Sequence, residues 1–431
     1  MAGSKVSVVG RTTRRIEYKE SNTLGILLAG SGNDYYQRVM YTIASSGTTL
    51  SAVNLLRDYI SGLGFRDRVL SKLTLNRYNQ SANTLLSLLA QDYSRGGFGA
   101  VAVVYNGLLE PVEYLYVPAE FVRFKLPDDN GKIPGYVIYS DWDKQKNRQY
   151  DEKKFQSLSP YNPDPIVISK QIEEAGSLGK WGGQLFIISD QNSEEYPLAT
   201  IDSVFVNVET DGLIQVFKHR TTTKGFMPNG IFHKPGIFAS DKERETFLEE
   251  IEDYQGAENS SAIIVVEFDT PELVPNFTPM TFPNVDKVFE LTEKTVKENI
   301  IQLFKIPPIL LSVKTPGELG GSNEWDNAKL YYDETTSRSR SLFSTQFGIL
   351  LKHFAPAKTI TDTTIISLGE GVKASGNSIF KSLGKDAMTG IQSILDSAYS
   401  DEVKVNLIVE GYGIDEVRAR KFITAKTEPQ V

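Results

Sequence analysis

The chain has 431 residues, 40% hydrophobic, 23% charged and 10% aromatic, which fits two to four domains or one elongated multi-segment body and argues against disorder. It contains no cysteine, so disulfides, thiolate metal sites, iron–sulfur clusters and cysteine nucleophiles are excluded, and its three histidines, His219, His233 and His353, do not cluster as a zinc site or a histidine-based catalytic apparatus would need. With 54 acidic against 46 basic residues the formal charge is −8, the wrong sign for a protein that grips nucleic acid by displacing counterions.

The opening residues, Met1-Ala2-Gly3-Ser4-Lys5 onward, carry no apolar stretch of the kind a secretory signal has. No apolar run reaches the ~20 residues of a bilayer span, so a soluble chain in a cytoplasm-like setting is expected. Residues 1–45, which mix Arg11, Arg14, Arg15 and Lys19 with the turn-forming Gly30-Ser31-Gly32-Asn33, read as an irregular arm. Val53, Leu55, Leu56, Tyr59 and Ile60 then recur at helical spacing, and Gly62 and Gly64 stop the pattern. A second helix is predicted over 82–93, ended by Gly96-Gly97.

Strands are predicted over 99–105 and 111–124, joined by Asn106-Gly107, a dipeptide that favours positive φ and a tight reversal. A third is expected at 136–139. The stretch 144–181 is polar and carries several Pro and Gly, and reads as loop. Residues 199–224 carry a helical stripe of Ile201, Val204, Val208, Leu213, Val216 and Phe217, with Gly212 inside it.

A small β-α-β module follows: a strand at 230–234, a charged helix at 240–254 with Ser240 and Glu243 as a capping box, and an apolar strand at 262–268. Pro271, Pro275, Pro279 and Pro283 then keep the chain extended and outside regular structure. The next helix begins after Pro283, with Val285, Val288, Phe289, Val296, Ile300 and Leu303 on one side and Asp286, Glu290, Glu293, Lys294 and Lys297 on the other. Glu290 with Lys294 and Glu293 with Lys297 are favourably ordered i,i+4 pairs. Ile306-Pro307-Pro308 breaks this helix, a long helix is predicted over 323–354, a strand over 364–368, and two terminal helices over 387–399 and 414–424.

Motifs for chemistry are missing. There is no GxxxxGK[ST] phosphate loop, no GxGxxG after a strand and no GxSxG elbow. Glu249, Glu250, Glu252 and Asp253 form an acidic run, which on a charged helix is normally a solvated face.

The order of features around residues 298–311 is more specific. A helix ending in Leu303-Phe304, the break Ile306-Pro307-Pro308, a leucine-rich exit, a glycine-rich loop with Ser322-Asn323-Glu324 and a new long helix together resemble the portal proteins of tailed bacteriophages, of the siphovirus-like connector type. Upstream, Lys224-Gly225-Phe226-Met227-Pro228-Asn229-Gly230-Ile231 with the β-α-β module resembles the portal clip, and residues 99–124 with Val117-Pro118-Ala119 resemble the wing.

The resemblance implies an α+β portal fold: a mixed α/β wing, a helical stem, a small β-α-β clip, a long kinked helix and a helical crown. Carried onto this sequence, residues 1–198 are arm and wing, 199–224 the first stem helix, 225–282 the clip, 283–306 the second stem helix, 307–323 the tunnel loop, 324–386 the long wing helix and return strand, and 387–431 the crown. Asp286, Glu290, Glu293, Lys294 and Lys297 are then stem residues, and Ile263, Ile264, Val265 and Val266 a clip strand that adds to a neighbouring subunit. The loop that meets DNA comprises Ser312, Val313, Lys314, Thr315, Pro316, Gly317, Glu318, Leu319, Gly320, Gly321 and Ser322.

The implied role is a homo-oligomeric, dodecameric ring at one capsid vertex through which double-stranded DNA passes. Implied partners are the terminase large subunit, the major capsid protein or scaffold, and a head–tail adaptor, with no membrane, catalytic residue, metal or cofactor. Assembly in the host cytoplasm and residence in the virion follow. Two other classes stay open: another ring-forming head–tail protein, or a hydrolase working through two carboxylates.

Overall fold

The computed structural model describes residues 18–142, 150–191, 196–224, 230–233, 276–279, 285–311, 322–370 and 384–412, with residues 240, 242, 416, 419, 420 and 423 singly. Strands β1 (Tyr18–Ser21) and β2 (Ile26–Ala29) precede helices α1 (Tyr35–Ser45), α2 (Gly47–Ser61), α3 (Arg68–Lys72) and α4 (Ala82–Gly96). Then come β3 (Gly99–Tyr105), β4 (Pro111–Val117), β5 (Val122–Phe124), β6 (Tyr136–Ile138), β7 (Gln156–Pro160), α5 (Pro165–Glu174), β8 (Gln184–Ile188) and α6 (Phe205–Lys224). The series ends with β9 (Gly230–His233), β10 (Asn276–Pro279), α7 (Val285–Leu303), α8 (Ser322–Leu351), α9 (Gly384–Asp396) and α10 (Asp401–Tyr412). Two compact units result, one from residues 1–57, 75–77 and 88–306, the other from 58–74, 78–87 and 307–431.

The first unit is built on a six-stranded sheet in the order β4-β3-β8-β7-β6-β5, antiparallel except where β7 meets β8. β3 pairs on both edges, and its run Gly99 to Val103 is buried throughout, as a continuous apolar strand requires. The predicted strand over 111–124 is cut at Pro118, which has no N–H for the ladder, and a turn of three-ten helix (Ala119–Phe121) separates β4 from β5. The β3–β4 reversal is also longer than the Asn-Gly pair implies. Asn106 Oδ1 accepts from the amides of Leu108 at 2.9 Å and Glu110 at 3.0 Å, and the positive φ falls on Leu109, at 61°.

The expected irregular arm is in fact ordered from Tyr18 onward. Ile26, Leu27, Leu28 and Ala29 are all buried, and Ile26 and Leu28 pack with Val137, Tyr139 and Trp142. Residues 144–181 also correct the loop reading, since they hold β7 and α5; Asp164 caps α5, accepting from the Ile166 amide at 2.8 Å. β8, buried at Leu185, Phe186 and Ile188, was not anticipated.

α6 begins after a three-ten turn at Asp202–Val204 and crosses α1 closely at Gly212. β9 pairs antiparallel with β10, Gly230 opposite Pro279 and His233 opposite Asn276. The proline-rich stretch therefore holds a short strand, with Pro279 tolerated at its end, rather than wholly irregular chain. The predicted apolar strand 262–268 and, apart from residues 240 and 242, the charged helix lie outside the described residues.

α7 ends in a Schellman motif: Lys305 N donates to Gln302 O at 3.0 Å and Ile306 N to Ile301 O at 3.2 Å, with Lys305 at φ 53°. Ile306 and Ile301, both buried, supply the hydrophobic contact of that motif. Pro307 and Pro308 then forbid further helix.

In the second unit the long helix α8 buries Tyr332, Phe343, Phe347 and Leu350. Tyr59 meets Tyr332 edge-on at 4.8 Å, and Phe65 meets Phe347 at 5.0 Å. Arg340 is paired with Asp333 at 3.0 Å and donates to Tyr59 O at 2.9 Å, so the buried charge has its partners. The predicted strand at 364–368 reduces to one bridge, Ile365 with Phe65, flanked by backbone hydrogen bonds from Leu63 N to Ile366 O, Ile366 N to Gly64 O and Arg66 N to Thr364 O at 2.8–2.9 Å. At the chain's end α9 and α10 bury Ile391, Val405 and Ile408 with Ala419 and Ile423. The helix over 401–412 was not expected, and Asp401 and Glu402 in its first turn suit the helix dipole; of the predicted helix 414–424, the described residues 416, 419, 420 and 423 are helical.

Candidate functional site

The feature with most functional content is the helical hairpin formed by α6 and α7. Late residues of α6 meet early residues of α7: Phe217 and Phe289 stack with ring centroids 4.6 Å apart and planes 9° from parallel. Glu293 clamps the two helices, accepting from Lys218 Nζ across the hairpin and from Lys297 Nζ at 2.8 Å along α7. The hydrogen bond from Lys218, then that from Lys297, hold its carboxyl below the usual glutamate range.

The other sequence-named stem residues fall differently. Lys294 stands 3.9 Å from Glu298 in an exposed pair, not against Glu290 as expected, so the predicted Glu290–Lys294 pair is not made. Asp286 opens α7, but its side chain is outside the described residues. So are the tunnel-loop residues 312–321 and the clip residues Ile263 to Val266; Ser322 is the first residue of α8.

Two unlike apolar surfaces mark the hairpin. Val206 and Leu213, 70% and 66% exposed, lie seven residues apart on α6, with Val216 beside them. They stand away from Val208 and Asp211, which α6 buries. On α7, Leu291 is 67% exposed. It lies two residues from both Phe289 and Glu293, about 200° round the helix, and therefore points away from α6. Val206, Leu213 and Val216 thus form an exposed apolar strip on α6, and Leu291 is a single exposed leucine on α7.

Among the described residues no group of three or more His, Asp or Glu could hold a metal, and no helix is long and apolar enough to cross a membrane. Asp92, which sequence reasoning did not single out, is buried on α4, and burial pushes its carboxyl up to about 6. Its Oδ2 accepts from Tyr116 Oη at 2.8 Å and the Ala119 amide at 2.9 Å, so it clasps the end of β4 and the turn after Pro118. Asp92 thus holds the β4 end in place with both its hydrogen-bond partners inside the fold, while Arg95 and Glu120 act on its carboxyl with opposite signs.

No family model matches the chain, and no curated protein matches it. Among solved structures it is similar to a chain of "Virion of native gene transfer agent (GTA) particle", with 15% identity and a TM-score of 0.50 over 87% of this chain and 93% of that one. A chain of "Neck of native GTA particle computed with C12 symmetry" gives 15% identity and a TM-score of 0.45, covering 86% and 92% of the two chains. An HK97 family phage portal protein from Corynebacterium diphtheriae gives 7% identity and a TM-score of 0.44 over 78% of this chain and 97% of its own. What the chain shares with the GTA virion protein is its fold.

Proposed function

We propose that this chain is a portal-type subunit: copies close into a ring at a capsid vertex, and double-stranded DNA passes through the hole during packaging and ejection. The observation that carries this reading is the α6–α7 hairpin with its two unlike apolar surfaces, Val206, Leu213 and Val216 on one helix and Leu291 on the far side of the other. A patch that meets a different patch on the next copy makes a head-to-tail contact, and such contacts generate rings when the rotation closes. The fold shared with a GTA virion protein supports the same reading.

In this reading α6 and α7 are the stem, residues 225–282 the clip, 307–323 the tunnel loop with Lys314 touching DNA transiently, and 387–431 the crown; the rest is arm and wing. The ring is passive. A terminase motor supplies the work, and the capsid protein or scaffold and a head–tail adaptor dock on the outside. The chain's charge of −8 keeps DNA from sticking to the wall, since phosphates are repelled rather than bound. No catalytic step and no cofactor is required.

The absence of cysteine makes the test free of background. The double variant Leu213→Cys with Leu291→Cys, mildly oxidised, is expected to give a series of covalent multimers on a non-reducing gel, ending at the ring size seen in negative-stain top views. Neither single variant should cross-link. Dimers from Leu213→Cys alone would mean that the α6 patch faces itself, and head-to-tail packing would be wrong. A wild-type protein that stays monomeric by light scattering at every concentration would remove the portal reading altogether.

A further inference from the structure

We propose that a small monovalent cation, of the sodium type, sits where α6 crosses the junction of α1 and α2, held by Asp211. Asp211 is 1% exposed, and its Oδ2 accepts from Ser46 Oγ at 2.7 Å. Its Oδ1 is buried and has no hydrogen-bond partner. Among the described residues, no lysine, arginine or histidine pairs with it.

Proton accounting explains why Oδ1 is left over. Ser46, fully buried between the two helices, caps α2: the Thr49 amide donates to its Oγ at 3.1 Å, and Thr49 Oγ1 lies 2.8 Å away. A hydroxyl has one proton to give. If Ser46 gives its proton to Asp211, Thr49 must give its own to Ser46. The chain of donors therefore runs from Thr49 to Ser46 to Asp211 Oδ2 and stops there. Asp211 Oδ1 receives nothing, and a buried carboxylate oxygen without a donor or a cation is a costly thing to keep.

The neighbourhood supplies what a hard cation needs. Ser45 is the last residue of α1, so its own carbonyl has no i+4 amide within the helix to accept from. Ser45 O and Ser45 Oγ lie against the α6 backbone, 3.1 Å and 2.8 Å from where a Cβ on Gly212 would stand, one residue along from Asp211. The oxygens that stand around this crossing are the Asp211 carboxylate, the Ser46 and Thr49 hydroxyls on its Oδ2 side, and the carbonyl and hydroxyl of Ser45 against Gly212. Oxygen ligands select hard cations, and a single carboxylate matches one positive charge better than two. A bound ion would tie one arm of the hairpin to α1 and α2. This inference stands on the packing of one copy and does not depend on the ring.

The test is thermal unfolding of the wild-type full chain in sodium, potassium, lithium and choline chloride at equal ionic strength. Tm in sodium is expected to exceed Tm in choline by on the order of 2 °C, and the difference should vanish in Asp211→Asn. Hydrogen exchange needs no variant: sodium should slow exchange in the last turn of α1, the first turn of α2 and the middle of α6. Equal Tm in all four salts overturns the site, as would sodium-dependent protection confined to other segments or a sodium effect that survives in folded Asp211→Asn.

Discussion

Gly212→Ala sets two effects of known size against each other. Alanine in the interior of a helix is worth about 1 kcal/mol over glycine, so on propensity alone the variant should be more stable. At this position a Cβ would stand 2.8 Å from Ser45 Oγ, 3.1 Å from Ser45 O and 3.2 Å from Ser45 Cβ. The hydroxyl can turn away only by giving up its 2.8 Å bond to Thr42 O, and the carbonyl belongs to the α1 backbone and cannot turn at all. α6 must then retreat from α1, which stretches the 2.7 Å bond from Ser46 to Asp211. Overpacking of this kind costs about 1–3 kcal/mol, and a strained buried hydrogen bond adds about 1. The clash wins, and Gly212→Ala should lose about 1–3 kcal/mol. Gly411 in α10 is the control, because a Cβ there would meet nothing within 4 Å; Gly411→Ala should gain up to about 1 kcal/mol. Scanning calorimetry of both variants beside wild type reads the two signs directly. Stabilisation by both would refute the close approach of α1 and α6.

Lys305 holds the left-handed position of the α7 Schellman motif, where glycine is free of strain, so Lys305→Gly should stabilise by about 1 kcal/mol in denaturant melts; a loss would mean that the lysine side chain does more for the helix end than its backbone costs. Asp92 titrates near 6 in the folded chain and near 4 when unfolded, so its contribution favours the fold at low pH and is lost as pH rises through 6. Asp92→Asn should therefore flatten the stability–pH profile between pH 4 and 7 by on the order of 2–3 kcal/mol, and an unchanged slope would show that Asp92 is not the titrating group. Arg123 is fully buried and donates to Asn33 Oδ1, Asn33 O, Glu120 O, Val122 O and Gln37 Oε1 at 2.6–3.1 Å, so Arg123→Lys, which keeps the charge, should still cost more than about 3 kcal/mol by leaving acceptors unpaired. A melting curve that matches wild type would contradict this. Glu293→Gln should lower stability by less than about 1 kcal/mol, and the loss should shrink in high salt, because Lys218 and Lys297 are themselves half-exposed.

What could be read from the chain depended on how local the determinant was. α2, α4, β3 and α7 were legible because a single apolar stripe or run and its stop signal decide them: Gly62 and Gly64 adopt φ of 53° and 89° where the α2 pattern ends. β1, β2 and α1 were hidden, since Gly30-Ser31-Gly32-Asn33 looks like a loop tip until Arg123, ninety residues on, is seen to bind Asn33. α5 carried a readable signal in Asp164-Pro165, and β8 in Leu185-Phe186-Ile187-Ile188, but both lie between polar stretches that masked them. The site divides in the same way. The amphipathic face of α7 and the Glu293–Lys297 pair were visible, but the single stripe expected on α6 divides: Val208 is buried while Leu213 and Val216 are exposed on another side. The clamp to Lys218 and the Asp211–Ser46 contact join positions 75 and 165 residues apart, and no spacing rule reaches that far.

The order of the six-stranded sheet has a further consequence. Its outermost strands are β4 and β5, yet Val117 and Val122 are only five residues apart, at most ~17 Å of chain. Laid flat, six strands would put the outer pair about 24 Å apart, so the sheet has to coil toward closure. Both rims are also occupied from within. The amide of Tyr114 donates to Leu75 O at 2.9 Å and Asn76 Nδ2 to Tyr114 O at 2.9 Å on one side, while Lys125 bridges to Ile26 and Leu126 N donates to Gly25 O at 3.1 Å on the other. The Tyr114 and Leu126 amides are thus not free to pair with another strand, which hinders edge-to-edge stacking at these points of the two rims. In the proposed ring, contacts between copies would then fall to helix surfaces, whose crossing angle would fix how many copies fit before the circle meets itself.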